Sequence, residues 1–596
     1  RARHGLDPEI GWPADAADPV GAVKLQSIQR LVGRHTRTTA GGLADFRSPH
    51  GARLTGTAFD EFCYTADVRV GRGHTGWYNI PRLGVFLWRL HSFPLAYVTP
   101  VQSSVCPDVY SFDPTGRRIP LFADSSRTYG DSWVSPEEHQ VPGPIPRRLL
   151  LVALSELYAT MIPGDPEELD SRSFGLFRQN GAFTDLIPRE YIVADPGADT
   201  TVTDNKIYVD PEQGLLFVPP NPSEPIPGTG PYVVSYRYGF GSAIGAGGFD
   251  SQEIKRQSSQ VVGTPVEVSG GGTQLTAALQ ASMGTGTVLI TDSLTYHEVA
   301  DLTVGNFVLQ AKGTARPLIR LPQATPQWTF TGLAGSTLVL DGIFVTGGDI
   351  VLKGEFDSVT LRYVTFDPGM RLKEADGYEP AVDERLLTPS RLVIYGQVRC
   401  LNIEHSILGP LQAKSPDIFS LAGRSPPQSL QATPPGAVER VVIRDSIVQG
   451  GLGGDIALFL RGTGEVEMER VTVLGGGIIH RLHASDVIIH DILTVEDTQH
   501  GCVRFSAWAE GSMLPRRYES PMIVPLAPMF TSTRFGEPGY AQLALGVSRA
   551  IYEGGTGGSE PGAFWREKNA IKERSLLIRY QEYVPVGLSP VLIYVT

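Results

Sequence analysis

A short apolar phrase recurs six times between Leu338 and Val495. Each copy holds two short runs in which apolar residues alternate with other residues, and a two-residue gap separates the runs. Alternate residues of a strand share one face, so each copy predicts two strands joined at a bend. The copies are Leu338/Leu340/Ile343/Val345, Val359/Leu361/Val364/Phe366, Leu401/Ile403/Ser406/Leu408, Val441/Ile443/Ser446/Val448, Val466/Met468/Val471/Val473 and Val487/Ile489/Ile492/Thr494.

The spacing of the copies predicts the fold class. Their first residues are separated by 21, 42, 40, 25 and 21 residues. A repeated unit of about 20–50 residues that cannot bury its own apolar face indicates stacked repeats. The unit is rich in strand formers, which excludes the helical repeat families. We predict a mainly β protein with a right-handed parallel β-helix, preceded by mixed, mostly β domains and followed by a C-terminal cap.

Changes in composition along the chain predict five segments. They are residues 1–60 as an N-terminal docking segment, 61–145 as a β-rich domain, 146–245 as an α+β or β-sandwich-like domain, 262–510 as the β-helix and 511–596 as a cap region. Helices are predicted over Pro19 to Val32, Pro146 to Met161 and Thr273 to Gly284. The last of these would cover the open end of the first coil, where a strand edge is otherwise unpaired.

Turn chemistry predicts further elements on either side of these helices. Val109 to Phe122 has a β-turn sequence between alternating flanks and predicts a hairpin. Strands are predicted over Lys206 to Asp210, Gly214 to Val218, Tyr232 to Tyr238 and, as the first strand of the β-helix, Thr287 to Ser293. The polar, Pro-rich stretches Arg371 to Ser390 and Lys414 to Gly436 interrupt the repeat, so we predict that both are loops projecting from one side.

Charge and cysteine content narrow the function classes. A net charge of −12 argues against a nucleic-acid groove, which needs clustered Lys and Arg. No run of about 18 apolar residues predicts a membrane span. The four cysteines form no CxxC pair, so we interpret them as small buried side chains rather than a disulfide scaffold or a zinc site. The chain starts at Arg1 with no apolar signal region, and we expect it to begin inside a longer polypeptide.

Acidic side chains in the repeat raise the question of glycan cleavage, which needs two carboxylates across a groove. Glu467 and Glu469 share one strand face, and Glu404, Asp445 and Asp491 fall at or near equivalent positions. The full candidate set is Asp341, Asp349, Asp357, Glu404, His405, Asp445, Asp455, Glu467, Glu469, His490 and Asp491. Because they alternate with apolar residues, we interpret them as solvated outer-face residues, with a catalytic cluster as the alternative.

Four histidines invite a metal interpretation: His480, His483, His490 and His500. The spacing of His480 and His483 suits a helix, but an odd spacing on a strand points the side chains to opposite faces. We interpret the histidines as surface or turn residues. The sequence also lacks a Walker loop and a nucleophile elbow. It therefore predicts no catalytic, cofactor-binding or metal-binding residue, and no enzyme.

Five longer segments carry a resemblance to a known family. They are Tyr78 to Leu90, Tyr110 to Gly116 with Pro120 to Phe122, Val209 to Gly214, Ser235 to Phe240 and Phe530 to Leu543. In these segments the chain resembles large, uncharacterised phage-tail-like proteins encoded with the baseplate genes of bacterial contractile injection systems. The resemblance runs from about residue 60 to the C-terminus and includes the predicted β-helix.

The resemblance implies a structural subunit at the baseplate, or at its periphery, of a phage-tail-like particle. Other baseplate or tail subunits would be its partners, in several copies and with a homotrimer as one arrangement. Such particles assemble in the bacterial cytoplasm and can be released outside the cell. The alternative is a tail-spike-like protein that binds a cell-surface receptor or depolymerises a cell-surface glycan.

Overall fold

The computed structural model describes residues 43–44, 64–65, 82–125, 137–162, 165–170, 172–180, 183–194, 206–219, 231–249, 263–413, 437–451, 456–523, 528–583 and 589–596. The fold is mainly β. Within these ranges, no helix has the length and apolar character needed to cross a bilayer. The helix predicted over Pro19 to Val32 and the loop predicted over Lys414 to Gly436 lie outside the described residues.

The described residues before the long parallel sheet form strands and one α-helix. The strands are β1 Leu43–Ala44, β2 Tyr64–Thr65, β3 Arg82–Leu87, β4 His91–Val98, β5 Val101–Gln102, β6 Val109–Ser111, β7 Thr160–Ile162, β8 Asp165–Asp170, β9 Phe174–Asn180, β10 Phe183–Leu186, β11 Ile192–Ala194, β12 Ile207–Asp210, β13 Leu215–Phe217 and β14 Tyr232–Phe240. Helix α1 spans Arg147–Leu157, and 3₁₀ turns span Glu138–Gln140 and Arg189–Tyr191.

The long sheet contains 22 strands and is accompanied by one helix, α2, which spans Gln274–Ser282. Its strands are β15 Val266–Val268, β16 Gly286–Ile290, β17 Thr295–His297, β18 Leu302–Ala311, β19 Leu318–Arg320, β20 Gln327–Asp341, β21 Phe344–Thr346, β22 Asp349–Arg362, β23 Thr365–Phe366, β24 Leu392–Ile394, β25 Gln397–Glu404, β26 Ile407–Leu408, β27 Leu411–Ala413, β28 Ala437–Gln449, β29 Ile456–Leu474, β30 Gly476–Ser485, β31 Ile488–Ile489, β32 Leu493–Val495, β33 Gly501–Arg504, β34 Ala507–Ala509, β35 Arg517–Tyr518 and β36 Met522–Ile523.

In the C-terminal part, the structure describes two α-helices and a final strand. They are α3 Arg549–Tyr552, α4 Asn569–Tyr583 and β37 Ser589–Tyr594, with 3₁₀ turns over Thr556–Gly558 and Trp565–Glu567. Strand β37 pairs in parallel with β3, so the last strand of the chain returns to its N-terminal half.

Two antiparallel-rich sheets precede the long sheet. Their strand orders are β10-β9-β14-β4 and β11-β12-β13-β6-β5. Both sheets combine strands from the predicted 61–145 and 146–245 segments, so strand pairing crosses that proposed boundary. The helix predicted over Pro146 to Met161 is confirmed as α1, which begins directly after the proline. The hairpin predicted over Val109 to Phe122 is wrong, because β6 pairs with β13 and β5 instead.

The repeated phrase forms the interior ladder of the long parallel sheet. Leu340 aligns with Leu361, and the same register continues through Ile403, Ile443 and Met468. All five side chains belong to one core cluster and are buried. The first five copies of the phrase are therefore in register. Helix α2 also forms within its predicted range and contacts the first strands of the sheet.

The sixth copy of the phrase is out of register with the other five. Val466 and Met468 pair with Leu482 and Ala484, whereas Ile489 pairs with Val473. The chain connection shortens here, because Leu460 aligns with Ile479 and Glu465 with Arg481, and the register shifts between those pairs. In the structure the sixth copy is Leu482/Ala484/Val487/Ile489, so Val487 and Ile489 form its second half and not its first. Both halves have the same alternation. The sequence pattern therefore allowed the wrong phase.

Serines in the third position of the phrase have a structural role. Ser406 accepts the backbone N–H of Val364 at 3.1 Å and donates its hydroxyl to the carbonyl of Glu404 at 2.8 Å. Ser446 makes the same two bonds on the next strand pair, accepting from the Ser406 N–H at 3.0 Å. Both serines are fully buried. Each hydroxyl satisfies backbone groups that the bend would otherwise leave unpaired.

The predicted projecting loop over Arg371 to Ser390 is instead folded against the rest of the protein. The N–H of Val382 donates to the carbonyl of Gly116, and the carbonyl of Val382 accepts the N–H of Ser104. Gly116 and Ser104 both belong to the N-terminal half. Asp383 pairs with Arg320 of the long sheet at 2.6 Å. The prediction was wrong because the loop's charges have partners within the chain, which polarity alone does not reveal.

Candidate functional site

The carboxylates that were predicted to be solvated divide into a buried and a partly exposed group. Asp341, Asp349 and Asp445 are buried, so the outer-face interpretation is wrong for them. Their neighbours are arginines from adjacent strands, which compensate the buried negative charge. Arg391, for example, makes a two-point contact with Asp349, at 3.1 and 2.7 Å. Asp455 lies outside the described residues.

A residue with positive φ stands at each of seven successive bends of the long sheet. These bend residues, with φ between 47° and 58°, are Tyr363, His405, Asp445, Arg470, Asp486, Phe505 and Glu519. The N–H of Tyr363 donates to the Glu404 carbonyl, and the N–H of His405 donates to the Arg444 carbonyl, both at 3.1 Å. Since this backbone conformation is unfavourable for L-residues, these bonds hold the bends in place.

Asp445 is the most heavily bonded of the bend residues. Arg470 donates to it from Nε at 2.5 Å and Nη2 at 3.0 Å, and Arg566 donates at 2.9 and 3.0 Å. Burial alone would raise the pKa of Asp445, but the arginine hydrogen bonds outweigh it and hold that pKa below its ordinary value. Arg566 belongs to the C-terminal part, so this carboxylate ties that part to the long sheet.

His405 lies beside Asp445 but does not act as its hydrogen-bond partner. Its Nε2 is 3.9 Å from the carboxylate, and its ring stacks on Tyr363 at a centroid distance of 4.9 Å. Burial lowers the pKa of His405. The histidine therefore contributes a packing surface to the bend rather than a proton-transfer group.

A groove of about 380 Å³ runs over the outward face of β28, β29, β30 and β33. Glu467 and Glu469 line it together, as predicted from their spacing. Each carboxylate has a cationic neighbour: Arg440 donates to Glu467 at 2.6 Å, and Arg444 lies 3.3 Å from Glu469. Glu404 aligns with Arg444 rather than with Asp445, which is buried and does not line this groove, so Glu404, Asp445 and Asp491 do not occupy equivalent positions as predicted.

The histidines and cysteines form no metal centre among the residues that the structure describes. His480 and His483 approach different carboxylates, Glu496 at 3.5 Å and Glu465 at 2.7 Å. The expectation that the cysteines are buried is wrong for three of them: Cys106 is exposed, and Cys400 and Cys502 are partly exposed. Cys400 and Cys502 lie on the outward faces of β25 and β33, where the alternation does not require burial, and Cys106 lies in the connection between β5 and β6.

The segments that carry the family resemblance meet at one junction between the N-terminal sheets, the long sheet and the C-terminal part. Tyr236 donates its hydroxyl to Asp113 at 3.1 Å, and Phe240 stacks on Tyr540 at 6.3 Å. The N–H of Phe112 donates to the carbonyl of Gly214 at 2.9 Å. These contacts join four of the five segments, although more than 400 residues separate Phe112 from Tyr540 along the chain.

A buried ion pair connects the junction to the long sheet. Arg117 donates from Nη2 to Asp367 at 2.5 Å, and both side chains are almost completely buried. Asp367 also accepts the Thr346 hydroxyl at 2.7 Å and the Gly369 N–H at 2.8 Å. The Asp367 carboxylate thus accepts hydrogen bonds from three groups of the protein. Removal of Arg117 would leave its buried negative charge without a cation.

A Gly-Ala pair fastens the N-terminal half to the bends. The N–H of Gly245 donates to the carbonyl of His405 at 2.7 Å, and the N–H of Ala246 donates to the Thr365 hydroxyl at 2.9 Å. Gly245 has a φ of +80°, and a Cβ at this position would lie 2.6 Å from that hydroxyl. Only glycine fits this approach.

A second Gly-Ala pair fastens the C-terminal part in the same way. The N–H of Gly562 donates to the carbonyl of Asp486 at 2.8 Å, and the N–H of Ala563 donates to the Thr472 hydroxyl at 2.9 Å. Gly562 has a φ of +92°, and its Cβ would also lie 2.6 Å from the threonine hydroxyl. The same attachment therefore holds both flanking parts of the chain against the long sheet.

Arg89 bonds to the last residue, Thr596, and connects the first resemblance segment to the C-terminal part. Its Nε donates to the carbonyl of Thr596 at 2.9 Å, and its Nη1 donates to the carbonyl of Leu543 at 3.1 Å. Burial lowers the pKa of Arg89. Leu543 ends the last of the resemblance segments and Arg89 lies in the first, so all five are linked.

This junction is the best-defined site in the described part of the chain. Most of the polar groups named above are buried and bonded to one another. Comparisons with protein-family models and with curated proteins find no match to the chain.

Proposed function

We propose that this chain is a structural subunit of a phage-tail-like contractile particle, located at the baseplate or its periphery. In this proposal the long parallel sheet winds as a right-handed β-helix and serves as a rigid arm. The N-terminal sheets and the C-terminal part brace one flank of the arm and leave its other faces for neighbouring subunits.

The pairing pattern supports a wound sheet. Strands pair with others that follow one, two or three places later, always in parallel, and the inward side chains stack in a single apolar core. Parallel connections of this kind are nearly always right-handed. A stacked core without long exposed sheet edges is stiff along its axis.

The strongest support for this proposal is the junction, which connects distant segments of the chain. A part that transmits force needs its segments to move together, and buried bonds between distant segments achieve this. Arg117 with Asp367, Arg566 with Asp445 and the two Gly-Ala attachments supply four connections to the long sheet. The segments that resemble baseplate-associated proteins are those that build this joint, which favours a role in assembly.

Deletion of the gene in its host, followed by cryo-electron microscopy of purified particles, tests the proposal. We expect the particles to lose defined density at the baseplate or to fail to complete it. Re-expression of the full chain should restore that density. Complete, unchanged baseplates in the deletion strain would refute the structural role.

The groove over β28, β29, β30 and β33 favours a second candidate, recognition of a cell-surface glycan. Glu465, Glu467 and Glu469 line the groove beside Arg444 and Arg504, which would offer both hydrogen-bond acceptors and donors to sugar hydroxyls. Each of these carboxylates also has a cationic or histidine neighbour, and such pairing favours binding over general acid catalysis.

Incubation of the full chain with bacterial polysaccharides distinguishes the two candidates. Chain shortening that disappears in Glu467→Gln but persists in Glu519→Gln, a substitution outside the groove, would establish a depolymerase. Binding without shortening would support a receptor-binding role. We expect neither activity from a purely structural subunit.

A further inference from the structure

A small cavity lies within the junction, between the N-terminal sheets, the long sheet and the C-terminal part. Its volume is about 50 Å³, which exceeds the roughly 10–15 Å³ that a single ordered water requires. Two arginines and four aromatic rings form much of its wall: Arg117, Arg316, Tyr238, Phe344, Phe535 and Tyr540.

Arg316 is a buried cation with no anionic partner in contact. Its side chain lies between the rings of Phe344, at 4.7 Å, and Tyr238, at 5.5 Å, and the residue is 8% exposed. Among the described residues, its Nε donates no hydrogen bond and no carboxylate forms an ion pair with it. The Nε of Arg117 also has no acceptor there.

The two carboxylates in the cavity wall are used by other groups. Asp113 accepts the Thr115 N–H at 3.2 Å and the Tyr236 hydroxyl at 3.1 Å. Glu537 accepts from Arg534 and from the Ser532 hydroxyl. Neither carboxylate forms an ion pair with Arg316, so within the described part of the chain no carboxylate contacts its guanidinium group directly.

We propose that this cavity binds a small anion, held by the guanidinium group of Arg316. A buried cation left without a partner is costly, and an anion in the adjoining space satisfies its donors. The rings of Phe344 and Tyr238 lie against the Arg316 guanidinium group and leave its N–H edge for the ligand. The proposal concerns the joint itself and does not depend on the proposed particle.

Thermal unfolding in different sodium salts at constant ionic strength tests the proposal. Sodium gluconate serves as the reference, because gluconate is too large for the cavity, and chloride, bromide and phosphate are the probes. The wild-type Tm should rise with the logarithm of the concentration of a bound anion. Arg316→Met should abolish this rise, whereas Arg399→Met, which removes an exposed arginine, should retain it.

Equal salt dependence in the wild type and Arg316→Met would overturn the proposal, as would a wild-type Tm that is the same in all salts. Crystals of the wild-type protein soaked in sodium bromide give a second test that does not depend on a variant's folding. An anomalous peak beside Arg316 is expected. A cavity that contains only water under these conditions would contradict anion binding.

Discussion

The carboxylate of Asp445 should hold the C-terminal part against the long sheet. Asp445→Asn removes its charge but retains a residue type that tolerates positive φ, so the bend itself should survive. Breaking a buried ion pair typically costs about 3–5 kcal/mol. Because Arg566 is about half exposed, we expect the lower end of that range, about 3 kcal/mol.

Hydrogen exchange measured by mass spectrometry reports this loss locally. The amides of Gly562 and Ala563 donate to the long sheet and become free when the C-terminal part detaches. A cost of about 3 kcal/mol predicts exchange that is faster by about two orders of magnitude at these amides. The amides of β28, which lie inside the sheet, should change much less.

Glu467→Gln is the matched control, because it also neutralises a carboxylate paired with arginine, but at an exposed position. Exposed pairs contribute only about 0–1 kcal/mol, so exchange at Gly562 should stay within about fivefold of the wild type. An Asp445→Asn protein with wild-type exchange at Gly562 would refute the attachment. Equal acceleration throughout β28 would show general destabilisation instead.

Three further predictions concern the joint. Arg117→Met should destabilise the protein by about 3–5 kcal/mol, measured as a lower Tm, because it leaves a buried carboxylate without its cation. Gly562→Ala should lower the Tm far more than Gly557→Ala, since both have positive φ but only the first Cβ meets other atoms. Burial raises the pKa of Glu560 to about 7 from 4.5, so stability should fall by about 3 kcal/mol as the pH rises between these values, and Glu560→Gln should remove that dependence.

Different results would contradict each of these expectations. An unchanged Tm in Arg117→Met would mean that the ion pair carries no net stability. Equal Tm losses in the two glycine variants would show that backbone conformation alone matters. A carboxyl group with a raised pKa binds more protons in the folded state, so its contribution to stability must fall as the pH rises. If the wild type became more stable between pH 4.5 and 7 and Glu560→Gln removed that gain, the expectation for Glu560 would be wrong.

Local patterns were sufficient to predict the strands that carry the first five copies of the phrase, but not β35 and β36, which lie beyond the predicted end of the repeat at residue 510. The alternation that turns Leu340 and Leu361 toward the interior depends only on residues next to them in the sequence. The register follows because apolar residues of one strand align with apolar residues of the next. Helices α1 and α2 were also predictable from their apolar spacing and end signals. The phase error at Ile489 arose because both halves of the phrase have the same spacing.

The joint could not be predicted from local patterns. Arg117 and Asp367 are 250 residues apart, and each looks like an ordinary surface charge in its own segment. Asp445 alternates with apolar residues, which suggested the outer face, but the C-terminal part covers that face. One usable signal was present: the Gly-Ala pairs at Gly245 and Gly562 occur where a backbone can approach a threonine closely.

The central claim is that the chain acts as one rigid part of a contractile particle. Cryo-electron microscopy of the particle before and after sheath contraction tests this claim most directly. We predict that the N-terminal sheets, the long sheet and the C-terminal part appear together at the baseplate and superimpose as one body in both states. Separation of either flanking part from the long sheet, or absence of the chain from the particle, would contradict the account.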